Sequence, residues 1–335
     1  MLADGLLDAI KKMNPNIKVI IDMDDNWRLN KDHMLNEIYK LNNTSEKIEY
    51  HLINADYVTC STEYLANKIK PYNNNIFIFP NALNPEEQFT PEPTKSNRLR
   101  FGIIGSATHN KDLELLNDIM SYIPEDIRNK IQIVLCGFNV SYNYYKDKDG
   151  SLKRIQTPFN DNEWVKMEKR LTGNYKYLKP SHIEELKTNT PSTDISDCYR
   201  RIMSKDIYNY ATCYNEIDVL LVPLLKNDFT VCKSELKLIE ASVMNKAAIV
   251  SDTIPYTICG INALEKGGNK NPNGNCLMIS ETKGVRGWAK AIIKLVKDPE
   301  LLNMMVMNLS KLTKPGSPYC LTDVCKKRIE MLRNI

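Results

Sequence analysis

The sequence predicts an α/β protein of two lobes, each built on a parallel sheet. Three observations predict it. Short apolar strands alternate with helical stretches along most of the 335 residues, the pattern of a parallel sheet with crossover helices. At about 150 residues per domain, the length suits two lobes. Between them lies the clearest linker, residues 84–97 (NPEEQFTPEPTKSN), whose three prolines and alternating charge disfavour helix and sheet interior.

The elements follow in order. Residues 2–13 read as an amphipathic helix closed by Asn14-Pro15, and Ile17 to Ile21 as a strand ending in the acidic run Asp22-Met23-Asp24-Asp25. From Lys31 to Asn54 the spacing of Leu35, Ile38, Leu41, Ile48 and Leu52 predicts one helix. Asp56 to Cys60 is a strand, with Ser61 as the cap of a helix from Thr62 to Lys70, and Ile76 to Phe79 is another strand. After the linker come a strand (Leu99 to Ile104), a helix (Asp112 to Met120) and a strand (Ile131 to Cys136). The stretch of about 139–205 is polar and aromatic (Tyr142, Tyr144, Tyr145, Trp164, Tyr175, Tyr177) and reads as an elaboration with short helices and no apolar strand. A strand at Asp218–Val222, a helix from Ser234 to Met244, a strand at Ala247–Ser251 and helices near 284–297, 298–311 and 320–333 complete the chain.

Composition excludes several classes. With 42% apolar and 26% charged residues the chain is globular, not collagenous, low-complexity or wholly disordered. Its nine cysteines stand singly, odd in number and never as C-x-x-C, which suits thiols in a reducing compartment rather than a disulfide frame or a zinc ribbon. The start has no basic stretch leading into an apolar signal core, and no apolar run reaches the roughly 18 residues of a membrane span. The expectation is a soluble, cytoplasmic protein without a transmembrane segment. A net charge of +4 decides nothing about nucleic acid.

Ligands of open parallel sheets bind at the carboxyl ends of strands, near helix N-termini. Two places fit. In the turn Gly105-Ser106-Ala107-Thr108-His109-Asn110-Lys111-Asp112, Gly105 permits a tight turn and the amides after it face the crevice. The second runs from Asn227 to Glu240, where Ser234 is a natural N-cap and Lys233 and Lys237 flank a helix start, a ready site for a diphosphate that Glu235 and Leu236 adjoin. Glu240 lies further in, placed to accept from a ribose, and the bland alternative is a solvated helix with an ordinary Glu/Lys pair. The acidic run Asp22, Asp24, Asp25 can bind a divalent ion, contact acceptor hydroxyls or be a solvated loop. Trp164 and its tyrosines read as a local hydrophobic cluster, with stacking on a sugar or base as the alternative. His109 is the histidine that sits in a constellation; His33, His51 and His182 read as surface or packing residues.

These residues resemble the retaining nucleotide-sugar glycosyltransferases of GT-B type, family four in particular. Asn54 to Ser61 resembles the "ADxVxxxS" strand, Ile76 to Asn84 the "xxVIPNGVD" strand, and Arg100 to Asp112 the first strand and helix start of the donor domain. Glu216 to Pro223 resembles "xxDVxLxPS", and Lys233 to Ala241 with Ala248 to Ser251 resembles the donor-site helix and the strand after it. The ordered set covers about 50–310. Asp22 to Trp27 resembles an acidic segment of some such transferases. The resemblance implies two Rossmann-like domains facing a cleft, the N-terminal one incomplete: 1–95 on the acceptor side with the linker, 96–310 binding the donor, with about 139–205 inserted, and 311–335 as a C-terminal helix packing back on the first lobe.

Two departures bear on sugar recognition and on the first domain. The family's paired glutamates, separated by seven residues, fall at positions 232 and 240; Glu240 matches, but position 232 is Cys232. The family's first domain has well over a hundred residues, whereas about 80 precede the linker here.

The resemblance implies transfer of a hexosyl or pentosyl group from a nucleotide-sugar to a glycan or other hydroxyl acceptor, with retention and no cofactor or metal. Glu240, Lys237 and Lys111 are the catalytic candidates. Gly105, Ser106, His109, Lys233, Ser234, Glu235 and Leu236 join Glu240 in binding the donor, and Asp22, Asp24 and Asp25 face the acceptor. The rival is a catalytically degenerate nucleotide- or carbohydrate-binding protein of the same fold. A second alternative is glycosylation of modified DNA bases.

Overall fold

The computed structural model describes residues 5–31, 33–85, 89–140, 142–148, 150–188 and 196–335. The first lobe runs α1 (Leu6–Met13), β1 (Ile20–Met23), α2 (Asn36–Leu41), α3 (Thr44–Asn54), β2 (Tyr57–Cys60), α4 (Glu63–Ile69) and β3 (Ile76–Ile78). Its sheet has the order β1-β2-β3, all parallel, with Ile20 opposite Tyr57 and Met23 opposite Cys60. That register moves the first strand three residues beyond its expected start and puts Asp22 inside it, opposite Thr59. The helix expected over 31–54 is two helices, because Asn43 takes a left-handed turn at φ 49°. As a result Leu35, Ile38 and Leu41 are exposed and only the α3 part of that apolar face is used. Thr62, not Ser61, caps α4, its hydroxyl accepting from the Leu65 amide at 3.2 Å.

The second lobe runs β4 (Leu99–Ile104), α5 (Glu125–Arg128), β5 (Ile131–Phe138), a hairpin of β6 (Tyr142–Lys146) and β7 (Leu152–Gln156), α6 (Glu163–Thr172), α7 (Pro180–Lys187), β8 (Tyr199–Met203), β9 (Val219–Val222), α8 (Leu236–Val243), β10 (Ala247–Ser251), α9 (Ile254–Thr257), β11 (Leu277–Ile279), α10 (Gly284–Lys297), α11 (Pro299–Leu309) and α12 (Leu321–Arg333). The six-stranded sheet has the order β11-β10-β9-β4-β5-β8, with every pairing parallel. Strands β9 (VLLV) and β10 (AAIVS) are buried throughout, as parallel strands covered on both faces must be. The helix expected over 112–120 is two 3₁₀ turns, Asp112–Leu116 and Ile119–Tyr122, broken by Asp118 at φ 53°. The region expected to carry no strand of the sheet supplies its edge, β8. That strand reads YRRIM because its buried arginine, Arg201, is held bidentately by the equally buried Glu168 at 2.6 and 2.7 Å. Trp164 lies in the core beside Phe138, 6.2 Å between rings; the side chains of Tyr144 and Tyr145 lie outside the described set.

Phe89 in the linker is buried against Tyr210, anchoring the crossing between lobes. The chain returns through α12, whose Val324 and Met331 pack with Phe79, Phe77 and Ile20 of the first lobe. The nine cysteines are free thiols, and all but Cys259 and Cys325 are buried. Among the described residues no helix is long and apolar enough to cross a membrane.

Candidate functional site

In the large sheet the winding reverses between β4 and β9, and such a switch point opens a crevice at the carboxyl ends of the two strands. A cleft of about 530 Å³ lies there between the lobes. Its second-lobe wall is the turn after β4 (Ala107 to Asp112), Glu163, Asn227, Thr230 and Lys233; the facing wall carries Asp25, Leu29, His33, Met34, Leu35 and Tyr39. A smaller recess of about 40 Å³ reaches under the turn and is lined by Gly105, Ser106, His109, Val222, Lys237 and Tyr256.

The turn after β4 is stiffened by its own side chains. His109 Nδ1 meets Asp112 Oδ2 at 2.8 Å, and the other Asp112 oxygen accepts from the Leu225 amide at 2.8 Å, tying the two switch-point loops together. Gly105 does not have the positive φ that a tight glycine turn would need, and a Cβ there would only touch the His109 ring at 3.4 Å. The position that demands glycine is Gly137, at φ 106°, where a Cβ would stand 2.5 Å from the Gly105 carbonyl oxygen. Lys111 lines the cleft.

At the other loop the helix starts later than its sequence suggests. Residues Thr230–Cys232 form a 3₁₀ turn, and α8 begins at Leu236 with no side-chain cap. Ser234 is therefore not the N-cap; its hydroxyl accepts from Asn81 Nδ2 at 2.8 Å, and the same amide donates to Asp24 Oδ1 at 3.0 Å. Lys233 Nζ spans the lobes to both Asp25 oxygens at 3.2 Å. Asp22 instead accepts from Thr59 and lies 3.6 Å from Arg328, so the three aspartates of the acidic run turn to separate partners. Among the described residues no group of three or more His, Cys, Asp or Glu side chains is placed to hold a metal ion.

Glu240 is 1% exposed and turned inward. It accepts from Tyr210 at 3.0 Å, from Tyr214, and from Lys237 Nζ at 2.7 Å. The open placement for a ribose that its spacing suggested is thus filled by two phenols. Burial and the Glu240 charge push both phenols up, so they remain donors. The Glu240 contact also aims Lys237 at the recess under the Gly105 turn. Glu235 is 2% exposed with Oε2 unpartnered; burial raises its carboxyl, against a hydrogen bond from Tyr319. Cys232, wholly buried, belongs to the first-lobe cluster of Trp27, Leu52, Leu65 and Ile69 rather than to the cleft. Its carbonyl accepts from Thr62 at 3.2 Å.

Sequence reasoning missed Asp112 as the partner of His109, Asn81 as the bridge to Ser234, His33 in the cleft and Glu163. Asn81 carried a local signal in the Pro80-Asn81 pair, and Asp112 lies only three residues from His109. The places of His33 and Glu163 in the cleft are made by tertiary contacts.

Neither a protein-family profile nor a curated protein sequence matches the chain. Solved structures do. Anabaena HepE in complex with UDP and glucose matches with a TM-score of 0.61 at 9% identity, over 98% of this chain and 74% of that one. A UDP-forming α,α-trehalose-phosphate synthase from Burkholderia vietnamiensis matches at 0.60 and 9% identity, over 98% and 72%. TarM matches at 0.57 and 14% identity; 97% of this chain is covered but only 53% of TarM, about half its length. These neighbours are GT-B glycosyltransferases, and at this identity the likeness concerns architecture. The chain has the GT-B fold, two parallel α/β lobes facing a cleft, as its sequence predicts.

Proposed function

We propose that the chain is a glycosyltransferase that moves a sugar from a nucleoside-diphosphate sugar to a hydroxyl of a glycan or other acceptor. The observation that carries this reading is the Lys237 ammonium, fixed by Glu240 and facing the recess at the sheet's switch point. The fold shared with HepE, solved with UDP-glucose, and with S. aureus TarM, solved with UDP, supports it.

In this reading residues 96–310 bind the donor, residues 1–95 carry the acceptor side and 311–335 brace the two. The anomeric C–O bond breaks and its electron pair passes to the diphosphate oxygen. Lys237, Lys111 and Lys233 with the loop amides neutralise that growing charge, each well-placed donor contributing on the order of 3–4 kcal/mol. The acceptor oxygen bonds the anomeric carbon and its proton passes to the departing phosphate; attack on the face the phosphate leaves gives retention. Protein cations take the part a divalent ion would play. Glu240 acts through Lys237, and a ribose contact requires it to release Tyr210. Asp24 and Asp25 border the acceptor's path.

Two observations favour the degenerate binding protein as a second reading: the position of the family's first glutamate holds a buried thiol, and Glu240 is buried beneath partners from within the lobe. For DNA, nothing comparable speaks: Lys233 and Lys237 are each engaged by a carboxylate. Thermal shift with UDP, GDP, ADP and CMP is the first test. A stabilising shift with one nucleotide, lost in Lys237→Ala, supports the site, and no shift with any of them refutes it. Slow hydrolysis of the matching nucleotide-sugar separates enzyme from binder.

A further inference from the structure

We propose that Glu163 is the donor-sugar subsite of this cleft, its carboxylate accepting hydrogen bonds from hydroxyls of the transferred hexosyl group. The proposal rests on the nucleotide-sugar reading above and goes one step into it. A sugar offers a cleft mainly hydroxyl donors, and a carboxylate is the strongest neutral-pH acceptor for them. Among the described residues, three carboxylates line this cleft. Asp112 is buried, out of a ligand's reach, and ties His109 to the Leu225 amide. Asp25 belongs to the facing, acceptor-side lobe, where it pairs with Lys233.

Glu163 remains, on the donor-lobe wall beside His109 and Lys111. Each of its oxygens has one partner, Asn110 Nδ2 at 2.5 Å on Oε2 and Lys166 Nζ at 2.6 Å on Oε1. A carboxylate oxygen accepts twice, so each keeps a site for a ligand hydroxyl. Its half-open side chain lets solvent, and so a ligand, reach it.

The group is preorganised from both sides. Asn162 caps α6, accepting from the Trp164 amide at 2.9 Å, and the buried Trp164 fixes the first turn on which Glu163 sits. Arg170, two turns on, donates to Asn110 Oδ1 at 2.8 Å, which orients that amide with its NH₂ toward Glu163. Asn110 belongs to the turn after β4, so the carboxylate is locked to the loop that borders the diphosphate recess. A side chain present only to favour the helix start would need no such partner on the neighbouring loop. With Cys232 turned into the other lobe, this constellation supplies the acidic sugar contact from a different element.

The test compares two affinities. Calorimetry measures Kd for the nucleoside diphosphate among UDP, GDP and ADP that shifts the melting point most, and for its tightest-binding hexosyl ester among UDP-glucose, UDP-N-acetylglucosamine, GDP-mannose and ADP-glucose. In Glu163→Gln the ratio of ester Kd to diphosphate Kd rises about tenfold over the unmodified chain, as loss of a charged acceptor implies. The bare diphosphate Kd stays within about twofold, and Glu163→Asp recovers part of the ratio. An unchanged ratio in Glu163→Gln overturns the proposal, as does a ratio that moves only in Asp25→Asn. Failure of every diphosphate to bind instead sinks the nucleotide-sugar reading on which it rests.

Discussion

Glu240 carries two phenols and an ammonium on one buried carboxylate. Removing it strands Tyr210, Tyr214 and Lys237, and leaving a buried charge or donor unpaired costs more than the bond it made. Glu240→Ala is expected to lower unfolding free energy by about 3 kcal/mol in urea titrations. Lys237→Ala, on a side chain a quarter exposed, loses the nucleotide shift while keeping most of that stability. Equal stability losses in the two variants would show that Glu240 does not hold the larger network. The sequence displayed the Lys237–Glu240 spacing, but not the phenols, which come from 26 and 30 residues upstream. That distance explains why the carboxylate read as open to a ribose.

Strands were legible where both faces are buried, as in β4 and β10, whose bounds follow from their apolar runs. Strand β8 was hidden because its Arg201 is buried by pairing with Glu168, and a search for apolar runs passes over it. Helices failed where one residue leaves the right-handed region, at Asn43 and Asp118. Two predictions belong to this scale. The end of β5 meets the β4 turn at Gly137, so Gly137→Ala meets both a left-handed φ and the Gly105 carbonyl. A loss of about 2 kcal/mol in urea, with weakened nucleotide binding, is expected; a neutral result would mean the turn yields freely. The join of α7 to β8 rests on Asp197. Burial opposes its ionisation, but bonds from His182 and the Lys179 and Cys198 amides prevail and hold it down at about 2. A depressed carboxyl stabilises above its unfolded value, about 3.9, and that contribution fades as pH falls toward 2. Unfolding free energy should therefore fall less steeply between pH 4 and 2 in Asp197→Asn than in the unmodified chain.

Across the whole molecule, the loop after β9 plugs into the first lobe. Thr62 holds the Cys232 carbonyl, Asn26 donates to the Asp228 carbonyl at 3.2 Å, and Cys232 completes a core that includes Trp27, Leu52, Val58, Leu65 and Ile69. The two lobes thus share buried apolar surface and should unfold as one unit. The sequence, compared with the glycosyltransferases it resembles, marks 232 as the place where a glutamate is missing, and the simplest remedy would be to restore it. The packing argues the reverse. A carboxylate at 232 would enter an apolar cluster where the Tyr64 and Asp228 carbonyls, which can only accept, stand within 3.9 Å of the sulfur. Among the described residues the sulfur takes a hydrogen bond from the Asn26 amide alone, at 3.9 Å, and a buried charge so poorly met costs several kcal/mol. Cys232→Glu is expected to destabilise by about 3 kcal/mol or more, and to split the single calorimetric transition into two as the lobes lose their shared core. Cys232→Ala, which leaves only a small void, should cost about 1 kcal/mol and keep one transition. Donor hydrolysis should not rise in the glutamate variant. A Cys232→Glu protein as stable as its parent and faster at hydrolysis would show that position 232 reaches the donor after all, and that the seam between the lobes is not fixed by this plug.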